Sequence, residues 1–418
     1  MAKFKIEGGT QLDGSLKVKG AKNSVLPLLA GSILTEKKVV LHNCPNITDV
    51  NNMIKILECL GCSVKKEEDT ITIDSSNILH GEIPSDLAHE LRSSIFLLGS
   101  ILTRIKKAKV AYPGGCDIGM RPIDIHLKGL KELNISVIEE GGYIYCDSSN
   151  AKSADIFLEK PSVGATENLM MAAICLKGTT LLRNPAKEPE IVDLQEFLNK
   201  MGAKIKGAGG SVIAIEGVQK LNGVEHTPIS DRIVVGTYML AGAMCGCNLQ
   251  ICNAIPEHNH SLIAKLSKTA CNIYNKNDII YIQAKERLKS IDYIETMYYP
   301  GFPTDLQAQM MALQTVADGT SVIVENIFET RYKQVPEFMK IGANIMVKDR
   351  TCIVQGVQNL KGAEVKAFDL RGGASLVMCG LVARGITTVD DVFHIDRGYE
   401  ALEIQLQDVG AKIKRIKD

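Results

Sequence analysis

Apolar and polar positions along the chain follow a pattern that returns roughly every 70 residues. Six segments share a glycine or small residue followed by small, polar and β-branched positions. They are LGCSV at Gly61, LNISV at Asn134, MGAKI at Gly202, TACNI at Ala270, IGANI at Gly342 and VGAKI at Gly410. Each ends a stretch with helical spacing of apolar residues and opens a short alternating one. The pattern predicts an amphipathic helix running into a strand. In the first five, a second alternating run follows: TITID, YIYCD, VIAIEG, IIYIQA and CIVQG. With turn residues between the runs, each pair reads as a hairpin. Upstream lie an earlier helix, a turn and a strand, as in LLAGSILTEKKVVLHN, MMAAICLKGTTLLRN, MMALQTVADGTSVIVEN and VMCGLVARGITTVDD. Gly178, Gly319 and Gly385 stand where a helix C-cap requires positive φ. The unit is therefore helix, strand, helix, hairpin, six times over.

The sixth unit stops at AKIKRIKD without its second strand. Near the N-terminus, FKIEGG resembles VIAIEG, so the first strand is expected to complete the last repeat. This predicts a discontinuous domain of residues 1–21 and 230–418, holding repeats four to six. Residues 22–229, repeats one to three, form the inserted domain. Two chain crossings would join them and permit a hinge motion.

Composition narrows the function classes. The 418 residues are 45% hydrophobic and 23% charged, with 48 basic and 48 acidic side chains and zero formal charge. Such a chain has no global field for nucleic acid or an anionic membrane, so anion recognition must come from local clusters. The uncharged run from Ile233 to Pro256 has the length of a membrane span. It contains Gly242, Gly246, Asn248 and Asn253 and fits the soluble repeat, so no membrane role is expected. MAKFKIEGGT lacks a signal-peptide core, which favours a cytoplasmic location and reduced thiols.

The repeats also account for most of the twelve cysteines. Cys62 and Cys271 take the position held elsewhere by Ala203, Ala343 and Ala411, and read as small core residues. Cys175, Cys245 and Cys379 lie in apolar helix patterns. Cys59 and Cys62 form a lone CxxC, and His258 and His260 in EHNH lack a third ligand, so no metal is expected. Cys116 matches no core position. It stands in YPGGCDIGMRP, an insertion after the KVAY strand, between glycines and shortly before Arg121.

The segments GAKNSVLPLLAG, PGGCDIGMRPIDIH, SVGATENLMMAA, EPEIVD, FPTDLQAQ, ENIFETRY and HIDRGYE occur in this order along essentially the whole chain. Together they resemble the enolpyruvyl transferases, and most closely the branch whose acceptor is UDP-N-acetylglucosamine. The resemblance implies an α/β fold of two inverted (inside-out) domains. Each would hold three βαβαββ-type repeats with threefold pseudosymmetry, and the pair would close over substrates. It implies transfer of the enolpyruvyl group of phosphoenolpyruvate to the sugar 3′-hydroxyl with release of phosphate, the first committed step of peptidoglycan precursor synthesis. It implies no cofactor and no metal, because Lys and Arg supply the positive charge. Protein partners are left open.

Carried over position by position, the resemblance makes Cys116 the proton donor to phosphoenolpyruvate and the site of a covalent adduct with it. A thiol near cations has a lowered pKa, and the epoxide fosfomycin is expected to alkylate it. Asp305 is the implied base at the attacking hydroxyl, with a helix N-cap as its bland alternative. Lys22, Arg121 and Arg397 match the phosphoenolpyruvate-binding cations, and Arg331 and Arg371 other active-site arginines. The implied nucleotide-sugar contacts are Asn23, Arg92, Arg121, Pro122, Ile123, Asp124, Ile125, Lys160, Ser162, Val163 and Gly164, with Asp305 and Ile327 facing the sugar. His126 and His394 are expected to orient neighbours rather than react. Lys22, Arg92, Arg232 and Arg371 fall near the starts of predicted helices, where free N–H groups favour anions. Pro161 in EKPSVGAT removes one backbone donor from this region.

Overall fold

The structure is a computed structural model that describes residues 2–112, 123–284 and 287–417. Among these, each repeat builds one four-stranded sheet. In the second repeat the order across the sheet is Glu82–Ile83, Lys107–Ala111, Tyr143–Asp147 and Ser136–Glu140. The first pair is parallel and the other two are antiparallel. The parallel edge strand turns helix–strand–helix–hairpin into βαβαββ. It is absent from the reading by pattern because it is short, two residues at Glu82–Ile83 and three at Asp155–Phe157, too few for alternation to register.

In two repeats the edge strand arrives from a distant part of the chain. Val224–His226 lies parallel beside Val39–Leu41 in the first repeat. Leu12–Lys17 lies parallel beside Cys247–Cys252 in the fourth. The strand Ala2–Glu7 inserts between Ile386–Asp390 and Lys412–Lys417, antiparallel to both, with Phe4 opposite Val389 and Arg415.

The six signature residues share one backbone feature: φ is positive at Gly61 (102°), Asn134 (59°), Gly202 (104°), Ala270 (68°), Gly342 (94°) and Gly410 (100°). In five of the repeats the next N–H reaches back to a carbonyl of the helix, as from Cys62 to Leu57 (3.0 Å), Ala203 to Leu198 (3.0 Å) and Ala411 to Leu406 (2.9 Å). This left-handed closure satisfies carbonyls that the helix end leaves open, and it explains the preference for glycine. Gly178, Gly319 and Gly385 also have positive φ, but they do not cap helices. The capping residues are Ile174, Ala317 and Ala383, and the glycines stand later, at the entry to the next strand.

Residues 2–19 and 230–417 form one compact unit and residues 20–112 and 123–229 another, among those described. The division falls after Lys19 rather than Ala21, because Gly20 N–H bonds to Asn43 (2.9 Å) and Ala21 N–H to Ile229 (2.7 Å). Each unit has its own hydrophobic core. Each packs one long helix per repeat at its centre and its sheets outside. In the first unit the inner helices are Arg232–Cys245, Gln307–Val316 and Leu370–Val382. In the second they are Lys22–Gly31, Leu97–Ile105 and Val163–Ala173. These helices are buried along most of their length, and most are largely apolar. The strands alternate instead, as in Ile279–Ala284, where every second residue is buried.

Candidate active site

The starts of the inner helices gather the functional candidates. Lys22 opens its helix, and Arg92 opens the short 3-10 turn before Leu97–Ile105. Ser162 caps Val163–Ala173, and Arg371 is the second residue of Leu370–Val382. Asp305 lies in the turn Thr304–Leu306 that runs into Gln307–Val316. Because the repeats are equivalent, the same helix end recurs as the place of a candidate residue.

In the unit holding both termini, Asp305 does not cap its helix; the N-cap is Leu306 without a side-chain bond. Its carboxylate instead accepts from two buried arginines. Arg331 Nη2 donates to Oδ1 at 2.8 Å and Arg371 Nη2 to Oδ2 at 3.0 Å. Both arginine side chains are 4% exposed, against 27% for that of Asp305. One acid therefore lies between two buried cations while its side chain stays partly exposed. Burial opposes the charge on Arg371, but Asp305, Tyr399 and Asp231 beside it outweigh that and hold the group firmly protonated.

Thr304 links this centre to the Ile327 turn. Its hydroxyl donates to Glu325 Oε2 (2.9 Å) and receives from Arg331 Nη1 (3.2 Å). The buried Glu325 takes the N–H groups of Ile327 (2.8 Å) and Phe328 (3.0 Å) on its other oxygen. Behind Arg371 the Tyr399 ring lies 5.5 Å from the guanidinium carbon. The Tyr399 hydroxyl meets Thr237 Oγ1 (2.8 Å) and Gln309 Nε2 (3.1 Å), so all three inner helices brace it. Arg397 ends the turn Val392–Arg397 and is half-buried. Burial, then Arg397, lower the pKa of the neighbouring His394, which keeps that imidazole neutral and suited to orienting rather than binding anions.

In the other unit Lys22 Nζ donates to the buried Asp49 Oδ2 at 3.2 Å. The same first turn of the helix is also clamped by Asp193. Ser24 Oγ donates to Asp193 Oδ2, and His226 Nε2 donates to Asp193 Oδ1 at 2.8 Å. Lys200 Nζ lies 3.1 Å from His226 Nδ1. An ammonium can only donate, so Nδ1 accepts and Nε2 carries the hydrogen given to Asp193. Asn23, on the same first turn, is half-buried.

A second group in this unit surrounds His126. Its Nδ1 meets Asn168 Nδ2 at 3.1 Å, and the ring lies against Gly164, where an added Cβ would stand 3.1 Å from Cε1 and 2.7 Å from Phe96. A side chain at position 164 would push both rings off the helix start. Burial, then the charge of Arg92, push the His126 pKa down to about 3. Asp124 begins the helix that carries His126, and Lys128 spans from it (4.0 Å) to Glu159 (3.3 Å) next to the exposed Lys160. Ser162 Oγ accepts from Ala165 N–H at 3.3 Å, and Val163 begins the helix. Ile123 is in the core and the half-buried Ile125 packs against it. Arg92, Asp124, Ser162 and Gly164 thus border one region of this unit, while Lys22 and Asp49 form a separate pair.

Cys116, Arg121 and Pro122 lie outside the described residues. Among the described cysteines none is in a disulfide, and burial lifts several thiols far from reactivity, Cys62 and Cys271 to about 12. No group of three or more His, Cys, Asp or Glu is placed to hold a metal ion among the described residues, and no helix there is long and apolar enough to cross a membrane. Sequence reasoning missed Asp49, Asp193, His226, Glu325 and Tyr399. EPEIVD, ENIFETRY and HIDRGYE, which contain Asp193, Glu325 and Tyr399, stood out as segments, but partners distant in sequence leave no local signal of what each of these residues holds.

The family model of EPSP synthase (3-phosphoshikimate 1-carboxyvinyltransferase) matches residues 6–406. The chain is 51% identical, over 100% of both sequences, to UDP-N-acetylglucosamine 1-carboxyvinyltransferase 2 of Caldanaerobacter subterraneus subsp. tengcongensis. It is 46% identical, again over 100% of both, to UDP-N-acetylglucosamine 1-carboxyvinyltransferase 2 of Clostridium tetani. Among solved structures, the enolpyruvyl transferase NikO from Streptomyces tendae matches over 100% of this chain and 99% of its own, with TM-score 0.89 and 24% identity. EPSP synthase from Acinetobacter baumannii matches over 100% of both chains, with TM-score 0.78 and 16% identity. At those identities the likeness shows the fold: two inside-out α/β domains.

Proposed function

The chain belongs to the EPSP synthase family of enolpyruvyl transferases, and from that premise we propose that it is a UDP-N-acetylglucosamine 1-carboxyvinyltransferase. It transfers the enolpyruvyl group of phosphoenolpyruvate to the 3′-hydroxyl of UDP-N-acetylglucosamine and releases phosphate. This is the first committed step of peptidoglycan precursor synthesis, and its place is the cytoplasm. The observation that carries the choice of acceptor is the identity of 51% over the full length of a relative of that name.

Chemically, carbon 3 of phosphoenolpyruvate takes a proton, and carbon 2 becomes electrophilic. The sugar hydroxyl attacks carbon 2 and gives up its proton. The tetrahedral intermediate then loses a proton from carbon 3 and phosphate from carbon 2, restoring the double bond. Cys116 is the acid in the first step and, as thiolate, can add to carbon 2. Asp305 is the base for the hydroxyl, supported by its exposed edge and by arginines that fix its plane. Lys22, Arg121 and Arg397 hold the carboxylate and phosphate of phosphoenolpyruvate. Arg331 and Arg371 serve as further cations of the site. Asn23, Arg92, Arg121, Pro122, Ile123, Asp124, Ile125, Lys160, Ser162, Val163 and Gly164 receive the nucleotide sugar, and Asp305 and Ile327 face its sugar ring. Uncapped N–H groups at the start of Lys22–Gly31 add donors for anions.

The deciding assay is phosphate release from phosphoenolpyruvate with either UDP-N-acetylglucosamine or shikimate 3-phosphate. Turnover with the second acceptor alone would overturn the proposal. Intact-mass and peptide mapping after brief fosfomycin treatment should find Cys116 alkylated ahead of the other cysteines. Labelling centred elsewhere would remove it from its role.

A further inference from the structure

We infer that Arg415, on the last strand, is a positioning residue that fixes the turn carrying Arg397, and so sets the affinity for phosphoenolpyruvate from outside the site. The inference rests on the assignment of Arg397 to that substrate.

Arg415 makes a paired hydrogen bond to Asp396, the residue next to Arg397. Nη1 donates to Oδ2 at 2.9 Å and Nη2 to Oδ1 at 2.6 Å. Its Nε donates to Glu403 Oε1 at 2.6 Å, and Nη2 also reaches Glu403 Oε2 at 3.2 Å. The guanidinium carbon lies 4.8 Å from the centre of the Phe4 ring, on the strand paired directly opposite. Four contacts in one plane and a ring beneath it leave the group little freedom.

The turn needs such a fixture. Asp391 at its start has φ 56° and Ala401 beyond its end has φ 43°. Non-glycine residues rarely hold that conformation unless their surroundings enforce it. At the near end Lys366 pairs with Asp391 at 2.9 Å. In the middle Val392 and Ile395 enter the core. Asp396 and Arg397 follow, half-buried, with the Asp396 carboxylate held by Arg415. Releasing Asp396 would free the backbone of the residue that bears the Arg397 side chain, without touching the substrate itself. Glu403 divides the same guanidinium between the turn and the helix Leu402–Asp408 that follows, so the turn is referenced to the strand and to the helix together.

The test uses the full chain and steady-state phosphate release, with KM for each substrate and kcat measured apart, beside thermal melts. Arg415→Gln should raise KM for phosphoenolpyruvate about tenfold, the scale of a lost charge-assisted pair, while KM for UDP-N-acetylglucosamine stays within about twofold. Asp396→Asn, nearly isosteric, should do the same. Arg415→Lys, which keeps the charge but loses the fork, should fall between and guards against a variant that fails to fold. Combining Arg415→Gln with Arg397→Ala should add nothing to Arg397→Ala alone. Unchanged KM for phosphoenolpyruvate in both Arg415→Gln and Asp396→Asn, equal rises in both KM values, or an additive double variant would overturn the inference. If Arg397→Ala acts and Arg415→Gln does not, the positioning link falls and the assignment of Arg397 stands. If Arg397→Ala leaves that KM unchanged, the assignment falls and the inference with it.

Discussion

The two units begin their inner helices differently. In the unit that holds both termini, Asp231 and Asp369 cap two helices, each accepting two N–H groups at 2.9–3.0 Å. The third helix follows the turn of Asp305. In the other unit, neither Ala21 nor Leu91 offers a side-chain cap, and Ser162 is a neutral one. Helix starts favour negative charge. One unit meets that preference with its own carboxylates, and places arginines beside them. The other leaves positive ends next to Lys22 and Arg92, which suits it to phosphates and carboxylates brought by substrates. The same repeat thus serves two uses, according to which residues stand at the starts of its inner helices.

The largest test of this contrast is Asp305. Asp305→Asn should lower kcat by about 10²- to 10⁴-fold, the usual loss with a general base, while UDP-N-acetylglucosamine still binds, as read by calorimetry. It should also lower the melting temperature, because two buried guanidinium groups lose their counter-charge. Full turnover would show that the acid there is only structural.

Next comes an acid placed at the anion-receiving end. Ser162→Asp should hold or raise the melting temperature, since aspartate caps at least as well as serine. It should nevertheless raise KM for the nucleotide sugar about tenfold, by setting a charge against the diphosphate. An unchanged KM would mean that this helix end does not face it.

A smaller effect concerns pH. His126 is held neutral when folded, with a pKa of about 3 against 6.5 for a free histidine. Its contribution is complete above pH 6.5 and is lost as pH falls toward 3, where the unfolded chain binds a proton that the folded one refuses. His126→Gln should flatten that part of the stability profile in urea titrations between these pH values, and an identical slope would contradict it.

The smallest is Ala270→Gly. The alanine sits at φ 68° where four repeats have glycine. Relief of that conformation should outweigh the added freedom of the unfolded chain and stabilise by up to about 1 kcal/mol, measured by urea midpoint. A loss of stability would show that the alanine side chain contributes more by packing than its backbone costs.

How far the sequence could be read followed from what each residue type must do locally. Gly61, Gly202, Gly342 and Gly410 were legible because positive φ selects glycine wherever a helix closes, and Asn134 and Ala270 were found by register with them. The lysine and arginines at helix starts were legible by position. The edge strands were not, since Glu82–Ile83 spans two residues and Val224–His226 pairs across the inserted segment. The partners that fix the site were hidden for a similar reason. Asp49, Asp193, Glu325 and Arg415 each reach a side chain 12 or more positions away in sequence, so no local pattern shows what they hold. Resemblance named the reacting residues; it said nothing of what holds them still.

The strand Ala2–Glu7 carries a consequence for the order of synthesis. It is made before residues 20–229, yet both its neighbours, Ile386–Asp390 and Lys412–Lys417, are made after them. At roughly 5–20 residues per second, the ribosome needs on the order of tens of seconds to supply them. Throughout that interval residues 20–229 emerge complete and can fold, whereas KFKIE waits as an unpaired strand with Phe4 and Ile6 uncovered. An unpaired apolar strand invites wrong pairing. The nascent chain therefore has a defined period of risk, closed only when Lys412–Lys417 leave the exit tunnel, and chaperones that shield short apolar segments would act on the strand during that interval.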